Sequence, residues 1–198
     1  MRRVLPIVGL LAVVVIVAIG LAQAGGKTGS GSAAKDDAEP FDLQRALTEL
    51  KGAPTPLAAL HGQAGDILDG GTKAFHARLR ELRGHPVVVN KWASWCGPCR
   101  HEFPFFEDVS TAKGKTVAFV GLNSGDNQRD AKEFLGEFPL TYPSYEDPDE
   151  KIARAIGAPA NYPITVFLDE HGKQAFLRQG GYPSREDLEQ DIKRYLGA

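Results

Sequence analysis

The chain's only two cysteines fall in one short string, Trp95-Cys96-Gly97-Pro98-Cys99. Two thiols at this spacing can form a structural bridge, supply part of a metal site, or act as a redox pair. A bridge over two intervening residues closes a loop too small to restrain an unfolded chain much, so it stabilises little. Structural frameworks in exported domains use several well-separated pairs instead. A zinc site needs about four ligands. There is no second cysteine pair, His101 is too close along the same stretch, and the other histidines are scattered. Reversible dithiol–disulfide exchange is the chemistry this spacing favours, with bridging and metal binding as the alternatives.

The elements around the pair give it a mechanism. Val87-Val88-Val89 is a continuous apolar run, the mark of a strand buried on both faces, and residues 97–110 read as a helix. Cys96 then lies where strand passes into helix, so free N–H groups and the positive end of the helix dipole favour its thiolate. Cys99, one turn inside, is shielded and suits a resolving thiol.

The remaining pattern alternates strands and helices. Lys73 to Arg83 places Phe75, Leu79 and Leu82 on one helical face before Gly84. Thr116 to Leu122 is a second apolar strand, and Gln128 to Phe138 is a helix with Ala131, Phe134, Leu135 and Phe138 inward. A short helix from Pro148 to Ile156 ends at Gly157. Strands at Ile164–Leu168 and Gln174–Arg178 are joined through Asp169-Glu170-His171-Gly172, a hairpin signal. Ser184, with Asp187 three residues on, caps a last helix whose inner face is Leu188, Ile192 and Tyr195 or Leu196. This order implies an α/β domain with a mixed central sheet flanked by helices.

Ahead of it, residues 1–24 carry Arg2 and Arg3 and then an apolar run from Val4 to Ala22, long enough to cross a bilayer as a helix. The expectation is a retained membrane anchor, with a signal peptide cleaved after Ala24 as the alternative. Either places the rest outside the cytoplasm, because the two arginines hold the N-terminus inside. Residues 25–40 are rich in Gly, Ser and Ala and read as a flexible tether. Residues 41–65 read as an N-terminal helical extension: Leu43, Leu47 and Leu50 share a face, and Gly52, Pro54 and Pro56 end the helix. Residues 66–198 form the main domain. Four of the 23 Lys and Arg, and no acidic residue, lie within residues 1–35, so the rest carries 19 basic against 25 acidic residues. That mildly acidic balance makes nucleic acid an improbable partner.

The string VVVNKWASWCGPCRHEFP resembles the active site of the thioredoxin superfamily, and specifically the membrane-anchored, extracytoplasmic TlpA/ResA type. The resemblance implies a thioredoxin fold over residues 66–198, with a helical insertion between about Asn123 and Ile156 and an extra strand near Tyr142–Tyr145. It implies thiol–disulfide oxidoreductase activity through Cys96 and Cys99, many such proteins serving cytochrome c maturation. Trp95, Gly97 and Pro98 belong to the motif and, with Tyr162 and Pro163, are expected to bind substrate. Pro104 matches the proline that kinks the active-site helix. Pro163, after Tyr162, matches the family's cis-proline and would place the Tyr162 backbone beside Cys96 for strand-like pairing with substrate. Glu102 matches a family glutamate one turn beyond Cys99, able to reach the site or bound substrate; otherwise it is a solvent-facing helix charge.

Three residues depart from the pattern. Asn90 stands where cytosolic thioredoxins have a buried aspartate, so that proton route is missing. Lys91 replaces an apolar or aromatic residue, and strand alternation turns it to the opposite face with no evident role. Tyr162 is bulkier than the usual Thr or Ile.

The expected function is a membrane-tethered protein disulfide reductase. The Gly97-Pro98 dipeptide favours reduction over the rival reading, an oxidase that donates its disulfide to secreted proteins. A redox-inactive metal-delivery or binding module is the third alternative. No metal is expected for want of ligands and no cofactor is expected; with no Gly-rich dinucleotide fingerprint in the chain, the electrons must come from a membrane partner. The expected partners are disulfide-containing proteins, the membrane through residues 4–22, and a membrane electron donor.

Overall fold

Six strands order as β1-β4-β3-β2-β5-β6 in one twisted sheet. Here β1 is Ile67–Leu68, β2 Val87–Trp92, β3 Ala118–Ser124, β4 Ser144–Asp147, β5 Ile164–Leu168 and β6 Gln174–Gln179. The first four are mutually parallel, β5 runs antiparallel to β2, and β6 runs antiparallel to β5. The computed structural model describes residues 41–198. The expected anchor at 4–22, the Ala24 cleavage point and the 25–40 tether lie outside the described residues. Among the described residues, no helix is long and apolar enough to cross a membrane.

Among the described residues seven helices accompany the sheet: α1 Leu43–Glu49, α2 Thr55–His61, α3 Gly71–Glu81, α4 Gly97–Lys113, α5 Gln128–Glu137, α6 Lys151–Ala155 and α7 Arg185–Leu196. Helix α2 departs from expectation. Pro54 and Pro56 were expected only to end a helix, but Pro54 is the N-cap of α2 and Pro56 sits in its first turn, where a missing N–H costs nothing. Strand β1 was not expected either; at two residues it carries no readable alternation. The extra strand anticipated near Tyr142–Tyr145 is β4, which lies between β1 and β3.

The sheet has an apolar layer on each face. On one side Val88, Trp92, Phe119 and Phe167 pack with Phe103 and Phe106 of α4, Phe134 of α5, and Leu188 and Ile192 of α7. On the other, Val87, Val89, Val120 and Val166 pack with Leu57 and Leu60 of α2 and Phe75 of α3. Every residue of β2 and β5 is buried, which is why Val87-Val88-Val89 reads as a continuous apolar run.

Candidate active site

Alternation along β2 sorts its last three residues. Trp92 goes with Val88 to the α4 face, while Val87 and Val89 line the other. Asn90 shares the α4 face and donates to Glu102 Oε1 at 2.9 Å. Lys91, one residue on, belongs to the opposite face. The indole N–H of Trp92 donates to Ser144 Oγ at 3.1 Å, tying the end of β2 across the sheet.

Beyond Trp92 the chain is held by Asp126, in the loop after β3. Its carboxylate accepts from Ser94 N–H at 2.6 Å, from Ser94 Oγ at 2.9 Å and from Asn123 Nδ2 at 2.8 Å. This clamp fixes the turn that presents Cys96.

Cys96 is the N-cap of α4, with extended backbone, and its Sγ accepts from the Cys99 N–H at 3.1 Å. The two cysteines form a disulfide with a Cα–Cα distance of 5.2 Å. Cys96 is 4% exposed and Cys99 is fully buried, so solvent or substrate meets only the first sulfur. Once the bridge is reduced, that sulfur faces an N–H group and the positive end of a 17-residue helix, both of which favour thiolate.

Glu102 lies in α4 one turn past Cys99. It is fully buried, which overturns its alternative as a solvent-facing helix charge and any reading of it as partly exposed. The helix turns this position inward, where Asn90 Nδ2 and the Tyr182 N–H, the latter at 3.0 Å, both donate to its carboxylate. Burial raises its pKa from the ordinary 4.5 to about 7, although those two donors and the charge of Arg178 pull the other way. Asn90 cannot itself move a proton, but it orients a carboxyl that can.

The Tyr162–Pro163 peptide is cis. Gly181 shows how closely the parts converge: a Cβ added there would stand 3.4 Å from Pro98 O, 3.6 Å from Glu102 Oε2 and 3.6 Å from Pro163 Cγ. The start of the active-site helix, the buried acid and the cis-proline therefore meet around one small residue.

A disulfide at a helix N-terminus, a buried acid behind it and a cis-proline beside it are now in place, and the Redoxin family profile matches residues 67–192. The chain belongs to the Redoxin family. The ResA thiol-disulfide oxidoreductase of Geobacillus thermodenitrificans is 29% identical over 117 residues, covering 59% of this chain and 66% of that protein. Thus the chain spans about two thirds of that relative's length. The thioredoxin-like protein YneN of Bacillus subtilis is 31% identical over 58% of this chain and 67% of its own. A structure assigned as the thiol:disulfide interchange protein DsbE of Chlorobium tepidum superposes with a TM-score of 0.55 at 32% identity, covering 60% of this chain and 85% of that one. This redoxin is a thiol–disulfide oxidoreductase with a thioredoxin fold, of the ResA/TlpA type.

In this redoxin the residues singled out by sequence divide into two groups. Cys96, Gly97, Pro98, Cys99, Glu102 and Pro163 gather around the helix start. Trp95 and Tyr162 form a rim beside it, with ring centroids 4.8 Å apart, and Trp95 is 61% exposed. Sequence reasoning missed Asp126, Tyr182 and Glu150. Asp126 was signalled only by its turn-forming surroundings, Asn123 to Asn127; Tyr182 acts through its backbone, which no residue type reveals.

Proposed function

We propose that this redoxin is a membrane-tethered, extracytoplasmic protein disulfide reductase of the cytochrome c maturation type. The observation that carries the reading is the asymmetry of the sulfur pair: Cys96 caps the helix and is the one reachable, while Cys99 is fully buried one turn from Glu102. In the reduced protein, the Cys96 thiolate attacks one sulfur of a substrate disulfide. A mixed disulfide forms and the other substrate sulfur leaves as thiolate, to be protonated. Cys99, having passed its proton to the Glu102 carboxylate, then attacks Cys96 Sγ and expels the second substrate sulfur. Two electrons pass to substrate and the Cys96–Cys99 bridge remains. Trp95, Gly97, Pro98 and the Tyr162–Pro163 backbone form the binding edge for the substrate chain. A membrane dithiol protein restores the two electrons, and the apolar run at 4–22 holds the domain beside it. The Gly97-Pro98 dipeptide supports the reducing direction.

Trapping tests the assignment of the sulfurs. In Cys99→Ser, attack proceeds without resolution, so mixed disulfides with polypeptides accumulate on non-reducing gels; in Cys96→Ser few form. Equal trapping by both, or more by Cys96→Ser, reverses the assignment. Direction is read from the reduction potential. A value near that of thioredoxin, about −270 mV, supports a reductase, and one near that of DsbA, about −120 mV, supports an oxidase.

A further inference from the structure

Lys91 is a fully buried lysine in the strand that leads to the redox pair. Removing an ammonium from water is costly unless partners replace the solvent. Its partners are unusually directed. Nζ donates to Pro159 O at 2.8 Å, lies 3.6 Å from Glu150 Oε2, and sits 3.9 Å from the centroid of the Tyr162 ring. Burial lowers its pKa, and the charges of Glu150 and Asp147 oppose that shift. The Tyr162 hydroxyl donates to the other Glu150 oxygen, Oε1. One cation and one carboxylate thus grip the same ring, from its face and from its tip.

Glu150 is shaped for this task. It is the N-cap of α6 but makes no cap hydrogen bond with its side chain. Asp147 does that work, accepting from the N–H groups of Ile152 and Ala153, both at 2.9 Å. Glu150 is also the one non-glycine residue with positive φ among the described residues, at 55°. A left-handed conformation is unfavourable for such a residue and persists only where its surroundings hold it. Here they leave its carboxylate facing Lys91 and Tyr162. Gly125 completes the fit, since a Cβ there would stand 2.7 Å from the Tyr162 hydroxyl. The Gly125 carbonyl also accepts from Trp95 Nε1 at 3.0 Å. The Tyr162 ring therefore ends edge-on to Trp95, the one large exposed apolar side chain among the described residues.

We infer that Lys91 and Glu150 are positioning residues which lock Tyr162 against Trp95, and that the resulting aromatic rim makes this redoxin selective for polypeptide disulfides over small ones. The inference rests on the proposed exchange at Cys96 and deepens it. A small disulfide needs only the sulfur of Cys96, whereas a polypeptide also lays the residues flanking its cysteine on the rim. A rim held rigid in advance saves the ordering cost at binding. Neither Lys91 nor Glu150 touches the sulfurs, so the effect belongs to substrate binding and not to the transfer itself.

The test uses the full-length chain with Lys91→Met, which keeps the buried stem and removes the charge, and with Glu150→Gln and Tyr162→Phe. Each is assayed on insulin and on an aromatic dye disulfide, with the reduction potential and acrylamide quenching of tryptophan fluorescence measured alongside. Quenching reports Trp95, because Trp92 is fully buried. Lys91→Met and Glu150→Gln are expected to raise KM for insulin about fivefold, the order expected when one cation–π contact stops ordering a ring. The insulin kcat, the dye rate and the potential should stay within about twofold, a split that a general loss of structure would not produce. Quenching of Trp95 should increase. An unchanged insulin KM, or insulin and dye rates falling together, overturns the inference. If Lys91→Met does not fold, the two half-buried positions decide: unchanged insulin KM in both Glu150→Gln and Tyr162→Phe overturns it as well. A wild-type protein that exchanges neither disulfide would instead remove the proposed function.

Discussion

Glu102 sits where two demands conflict, because a carboxyl proposed to lose and regain a proton is shut away from water and held by two hydrogen-bond donors. Burial dominates, and the pKa of about 7 leaves both protonation states populated near neutrality. The residue is therefore suited to take the Cys99 proton as resolution begins. Replacement by Gln removes the proton site with little change in volume. The amide can be accommodated by turning Asn90, whose Oδ1 has no partner at present and can accept from the new N–H. Glu102→Gln should slow resolution of a preformed mixed disulfide by about tenfold or more and flatten its pH dependence around pH 7. Stopped-flow rates between pH 5.5 and 8.5 measure this. Superimposable profiles for wild type and mutant would remove Glu102 from the proton path.

The elements hold the site through contacts of very different legibility. The alternation of β2, the N-cap position of Cys96 and the Ser184 cap of α7 were all readable, because each depends on residue type at fixed local spacing. The burial of Glu102 and the grip on Tyr162 were not, since they join residues separated by 80 and 71 positions, through Tyr182 and Lys91. Even so, a lysine inside an apolar strand was visible as an anomaly. Gly121 shows the same divide. In the chain it is one more glycine; in the sheet it pairs with Asn90 on β2 and with Ser144 on β4. A Cβ there would stand 1.9 Å from Ser144 Oγ, the atom that accepts from the Trp92 indole. Gly121→Ala should thus cost about 2 kcal/mol, by overpacking and by breaking that hydrogen bond. Ser144→Gly removes the obstructing atoms, so the double mutant should lose less stability than the two single losses combined. Urea unfolding of the four proteins supplies the cycle. Strict additivity would show that the close approach of β4 does not govern the cost.

At the scale of the whole described unit, the buried acids set how stability responds to pH. Burial raises the pKa of Glu102 to about 7 and that of Glu107, also in α4 and beside Asp108, to about 8. In the unfolded chain both return to about 4.5. Between those values the folded state binds more protons than the unfolded one, so stability falls as pH rises. Below about 4.5 both states are protonated, and above about 8 both are ionised, so the slope vanishes at either end. This is opposite in sign to the behaviour of ion-paired surface carboxylates such as Asp130 and Asp149, whose pKa values are lowered and which act only at more acid pH. In the oxidised protein the two sulfurs do not titrate, so the acids can be observed separately. Thermal unfolding of the oxidised protein should show Tm falling by about 10–20 °C from pH 5.5 to 8.5, corresponding to a loss on the order of 5 kcal/mol. Glu102→Gln should remove about half of the slope between pH 5 and 7 and leave that between pH 7 and 8, whereas Glu107→Gln should lessen the slope throughout and abolish it between pH 7 and 8. A Tm that stays level or rises through this window would mean that neither carboxyl keeps its proton in the fold. The acid behind Cys99 would then be ionised at neutral pH, and no longer suited to carry the proton of the resolving thiol.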